Sequence, residues 1–103
     1  MTVEITINEN DIALAGELTQ DTITQALEKK SADFFKNKSI VIDLAGIVKV
    51  DTAGLAWLLT LVELASIKDC KIEFTHLSQE LKNLAKLTAV DAFLPTTLPS
   101  EHA

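Results

Sequence analysis

The stretch KVDTAGLAWLLTLVELA, residues 49–65, joins a short polar turn, Asp51-Thr52-Ala53-Gly54, to a helix that is apolar on nearly every side. Advancing about 100° per residue from Leu55 gathers Leu55, Leu58, Leu59, Val62, Ala65 and Ser66 in one arc, the face expected to pack on a sheet. Trp57, Leu61 and Leu64 fall together nearly opposite, with Lys68 completing that stripe. Thr60 and Glu63 mark the wetter flank between the two. Either another part of the same domain covers the second stripe, or it is an exposed patch that docks a partner. The other helices of the chain each carry a single apolar face, and bare patches of Trp and Leu rarely persist without a reason, so a docked partner is expected.

The turn has two readings as well. Asp51 or Thr52 caps the helix by accepting a bond from a free backbone N–H. A hydroxyl at that place also sits where the helix dipole favours added negative charge, so a phosphate would be tolerated there. Gly54 allows another backbone to approach closely.

Outward from this stretch the chain reads as alternating elements. Thr2 to Ile7 alternates as a half-buried strand, Asn8 to Asp11 is a polar turn, and Ile12, Leu14, Gly16 and Leu18 resume the alternation, which makes an antiparallel hairpin. Thr19, Gln20 and Asp21 offer caps for a helix to about Phe35, with Ile23, Ala26, Leu27 and Phe34 inward. Ile40 to Leu44 is a nearly continuous β-branched run, expected to be a central strand covered on both faces. Lys71 to Thr75 is a further strand, and Ser78 caps a third helix with Leu81, Leu84, Ala85 and Thr88 inward. The order β-β-α-β-α-β-α predicts an α/β fold of mixed α+β character. It has a small mixed sheet, an N-terminal antiparallel hairpin, a parallel βαβ crossover over residues 40–75 and about three helices. Residues 1–95 are expected to form one domain, with a flexible tail over 96–103.

Composition narrows the function. A net charge of -6 and a pI near 4.7 oppose electrostatic binding of nucleic acid or anionic lipid. The N-terminus shows no signal peptide, and the apolar window Ala53 to Ala65 is too short to span a bilayer, so no direct membrane insertion is expected. The single cysteine, Cys70, fits a reducing compartment and a half-buried space-filling role, and points to a cytoplasmic protein. His76 and His102 have no second ligand at metal-binding spacing and are read as structural or solvent-facing. With no phosphate loop, dinucleotide fingerprint or nucleophile-base pair, neither a cofactor, a metal nor enzymatic activity is expected.

Val50-Asp51-Thr52-Ala53-Gly54-Leu55, placed after the Ile40–Leu44 strand, resembles the D-[ST]-x-G-[LI] signature of STAS domains, the anti-sigma-factor antagonist fold. The resemblance extends through Leu14-Ala15-Gly16-Glu17-Leu18 and the helix order. Within the family, Gly54 to Ala65, Leu84-Ala85-Lys86-Leu87 and Leu94-Pro95 look like the small STAS subunit of the Mla phospholipid-transport ABC complex. That likeness implies a non-catalytic subunit that binds and supports the cytoplasmic ATPase, in a complex with permease and lipid-binding subunits. Such a complex moves phospholipid between the membranes of a double-membraned bacterium and maintains outer-membrane lipid asymmetry. The subunit would lie peripheral to the inner membrane through its partner, and an orphaned copy can dimerise through its vacant docking patch. Asp51, Thr52, Ala53, Gly54, Trp57, Leu61 and Leu64 are then the expected partner-binding residues, with Thr52 at the family's phospho-acceptor position.

The alternative is an anti-sigma-factor antagonist regulated by Ser/Thr-kinase phosphorylation at Thr52. Such antagonists usually carry Asp after Gly-Glu-[LI] and serine as the acceptor. This chain has Thr19 and Thr52 at those places, which leans away from a kinase switch.

Overall fold

A computed structural model describes residues 3–90 and 93–95; His102 and the tail over 96–103 lie outside them. Alternation builds the hairpin as expected: β1 (Val3–Asn8) pairs antiparallel with β2 (Asp11–Leu18) across a tight Glu9-Asn10 turn. β3 (Ser39–Val50) runs parallel to β2, and β4 (Lys71–Thr75) runs parallel to β3, giving one sheet in the order β1-β2-β3-β4. The helices are α1 (Gln25–Ser31), α2 (Thr52–Ile67) and α3 (Gln79–Leu87), with a 3₁₀ segment over Ala32–Lys36.

Strands and helices contribute to a single core. Register places Ile12 beside Ile42, Ile42 beside Phe74 and Ile40 beside Ile72, so these buried residues share one face, where α2 contacts β2, β3 and β4. The opposite face carries Val41, Asp43, Glu73 and Thr75, all half-buried. The expectation that β3 is covered on both faces is therefore corrected. The residues between its buried positions include Asp43, and those beside them on β4 include Glu73, so this face suits water rather than a second packed layer.

β3 is also longer than the run Ile40 to Leu44, and the reason is local. Between Ala13 and Ala15, and again between Gly16 and Glu17, the register with β2 shifts, each time by an extra residue on β3. Each bulge resets the alternation, so Leu44, Ile47 and Val50, three apart, all reach the core. Gly16 takes φ 104° at the second shift, a backbone that side chains oppose.

The first helix is shorter than expected and starts later. Thr19 to Asp21 do not cap it: the chain turns there, and Thr24 Oγ1 accepts the Leu27 N–H instead. Past Ser31 the 3₁₀ segment kinks at Phe35 (φ -101°, ψ 31°), which buries Phe34 and the adjacent Phe35 together. An unbroken α-helix would have turned one of these rings away. Ala26 is exposed, and Thr88 is an exposed C-cap of α3 rather than an inward residue. Cys70 is buried rather than half-buried, which pushes its thiol up. His76 is exposed with its Nδ1 2.9 Å from Asp43 Oδ1.

Candidate functional site

The turn between β3 and α2 is held from several sides. Asp51 caps α2: its Oδ1 accepts the Gly54 N–H at 3.0 Å, while its Oδ2 accepts the Gln20 N–H at 2.9 Å from the chain beyond β2. The Asp51 backbone N–H donates to Leu18 O at 3.1 Å, and the Val50 N–H donates to Glu80 Oε1 at 3.0 Å. The N–H groups of Gln20 and Gly54 hold the Asp51 carboxyl below the usual carboxylate range, against a smaller opposing effect of burial; Ala53 and the Lys49 charge add to the lowering.

Gly54 is the other fixed point. A Cβ built on it would stand 2.0 Å from Leu18 O and 2.8 Å from Leu18 Cβ. The backbone that approaches Gly54 is thus the end of β2 in the same chain, and the first turn of α2 sits directly on it.

Asp51 and Gly54 being committed to the fold, the group left facing solvent is Thr52, exposed in the first turn of α2, with Ala53 half-buried beside it. From Thr52 an exposed stripe continues along α2 through Ala56, Thr60, Glu63 and Ile67 at helical spacing. Val48, on the bulged end of β3 four residues before Thr52, is 78% exposed.

A family model for the MlaB STAS domain matches residues 1–96. The chain belongs to the MlaB STAS-domain family. This STAS domain is 36% identical over 77 residues to the intermembrane phospholipid transport system binding protein MlaB of Escherichia coli (strain K12), spanning 74% of this chain and 76% of that protein. MlaB of Shigella flexneri matches with the same identity and coverage. Among solved structures, an anti-sigma factor antagonist from Mycobacterium paratuberculosis superposes with a TM-score of 0.72 at 20% identity, covering 95% of this chain and 87% of that one. The anti-sigma factor antagonist SpoIIAA in its unphosphorylated form gives 0.67 at 12% identity, covering 97% and 91%. At these identities the structural likeness establishes the fold.

In this STAS domain the outward Trp57/Leu61/Leu64 stripe does not exist. Trp57 is 4% exposed, Leu61 is fully buried and Leu64 is half-buried against the core. Trp57 is covered by Phe34 of the 3₁₀ segment, whose ring meets it edge-on with centroids 6.5 Å apart. The expected sheet-facing arc holds for Leu55, Leu58 and Ala65, with Leu59 and Val62 partly covered, but Ser66 is exposed. The solvent face of α2 is instead the flank of Thr60 and Glu63.

Sequence reasoning missed Val48 because the bulges hide that end of β3, and missed Glu80 because its partner, Val50 N–H, is distant in sequence. Thr19, at the place of the antagonists' acid, is buried at the end of the hairpin, its N–H bonded to Thr22 Oγ1 at 3.0 Å. Among the described residues no cluster of three His, Cys, Asp or Glu is placed to hold a metal ion.

Proposed function

We propose that this STAS domain is a non-catalytic subunit of an ABC-type phospholipid transporter, and that it binds the cytoplasmic ATPase subunit. The observation that carries this reading is the 36% identity to MlaB over 74% of the chain. The site supports it: a rigid turn, fixed by Asp51, Gly54 and Glu80, presents Thr52 and a stripe of small residues, Ala56 and Thr60, to solvent. Small exposed side chains let a partner's backbone come close. Trp57 and Leu61 then act as the packed layer beneath the contact rather than as the contact itself.

The reading places the protein on the cytoplasmic side of the inner membrane, held there through the ATPase, with permease and lipid-binding subunits in the same complex. No helix among the described residues is long and apolar enough to cross a membrane, and the charge of -6 opposes direct adhesion to anionic lipid. Its task would be to support the ATPase in a system that maintains outer-membrane lipid asymmetry. Co-purification with that ATPase tests the reading: Thr52→Arg should abolish capture while leaving the far-UV spectrum and melting temperature unchanged. Capture of the folded variant at the wild-type level contradicts the docking site.

An anti-sigma-factor antagonist is the second reading, favoured by the fold likeness at TM-score 0.72 together with the exposed Thr52 hydroxyl at the start of α2. Intact-mass analysis after incubation with Ser/Thr kinases from the same cell separates the two. Stoichiometric phosphate on Thr52 supports the switch, and an unmodified chain opposes it.

A further inference from the structure

Among the described residues β4 is the last strand of the sheet, and none of them forms a strand beside its outer edge. The Lys71 N–H donates toward β3, to Lys38 O. Alternation therefore turns the N–H groups of Ile72 and Phe74 away from β3, toward that outer edge. The Phe74 N–H does not face solvent: it donates to Pro95 O at 2.8 Å. Leu94 beside it is 7% exposed and sits in the same core as Ile72 and Phe74. A residue with no strand or helix of its own thus plugs the core, and its neighbour occupies the backbone of the sheet edge.

We propose that Leu94-Pro95 is a latch that closes the β4 edge against strand addition by a second copy of this chain. Uncovered strand edges pair readily with other strands, and folded proteins shield them with loops of this kind. The occupant follows from the edge itself. In an antiparallel self-pair centred on Ile72, a residue whose N–H points outward, Lys71 of each copy stands opposite Glu73 of the other on the open face of the sheet. Opposite charges facing each other across an antiparallel pair favour that register. The contact would be two-fold symmetric and closed.

The test uses the full chain at micromolar concentration, with amide hydrogen exchange and sedimentation velocity. In the wild type the Phe74 amide is protected. Leu94→Ala is expected to speed exchange at Phe74 by about tenfold or more while Ile42 in β3 keeps its protection. The same variant should self-associate beyond the wild-type level, and Glu73→Lys added to it should reverse that gain. If Leu94→Ala unfolds the chain, Leu94→Val gives the same comparison. Unchanged protection at Phe74 with unchanged association overturns the latch, and association that survives Glu73→Lys overturns edge pairing.

Discussion

Gly54→Ala adds one methyl group where α2 rests on the end of β2. That carbon would lie 2.0 Å from Leu18 O, 2.7 Å from Leu18 C and 2.8 Å from Leu18 Cβ. Leu18 is fully buried, and its carbonyl already accepts the Asp51 N–H at 3.1 Å, so neither side has room to yield. To restore ordinary contact the two backbones must part by more than about 1 Å, and interiors packed at crystal density resist such a shift. Overpacking of this kind costs about 1–3 kcal/mol. Stretching the Asp51–Leu18 bond forfeits about 1 kcal/mol more. Alanine returns at most about 1 kcal/mol through its higher helix propensity. The net expectation is a loss of about 2 kcal/mol, because the offsetting terms nearly cancel and the steric term remains. Urea unfolding followed by the fluorescence of Trp57, the chain's single tryptophan, measures it as a lowered midpoint with little change in slope. A midpoint equal to or above that of the wild type would refute the close approach. A stable Gly54→Ala variant that fails to bind its partner would return the glycine to the interface.

Three other perturbations probe different parts of the account. Trp57→Ala should destabilise the domain by about 3–5 kcal/mol, as for a fully packed aromatic residue, measured by urea titration with circular dichroism; a loss under about 1 kcal/mol would mean that Phe34 does not cover it. Asp51→Ala should cost about 1 kcal/mol or more at neutral pH through the lost cap. Because folding lowers the Asp51 pKa, its contribution is present above the ordinary carboxylate value of 3.8 and is lost as pH falls through the lower folded-state value. The gap between wild-type and variant melting temperatures should therefore close in acid, and a gap constant with pH would contradict the assignment. Ala89 follows the C-cap of α3 at φ 59°, with the Val90 N–H bonded to Ala85 O and the Ala89 N–H to Lys86 O. Ala89→Gly should raise stability by about 1 kcal/mol by removing a left-handed penalty, and a lowered melting temperature would count against that helix ending.

Much of the fold was legible because local rules agreed with one another. Strict alternation in β1 and β2 implied the hairpin, and Ser78 marked the start of α3 with its own cap, accepting the Leu81 N–H at 3.1 Å. What escaped was non-local or irregular. The bulges in β3 replace a period of two by a spacing of three, so Ile47 and Val50 do not read as strand residues although both are buried. The kink at Phe35 lets two adjacent rings point inward, and one of them covers Trp57. A helical wheel reports which residues share a side, not what lies against it. Hence the second apolar stripe was legible as a stripe, while its cover, in another element, was not. Asp51 and Gly54 were legible as special positions, but whether they served a partner or the fold depended on Gln20 and Leu18, residues distant in sequence.

The claim at the centre of this account is that α2 meets the transporter's ATPase at Thr52 and the Ala56/Thr60 flank, over a buried Trp57. Titrating the purified ATPase subunit of the same cell's phospholipid transporter with the wild-type domain and with folded Thr52→Arg tests it most directly. The account predicts saturable binding by the wild type and affinity weaker by about a hundredfold or more for the variant, equivalent to about 2.8 kcal/mol. Equal affinity for the two proteins, or no binding by the wild type, would contradict it.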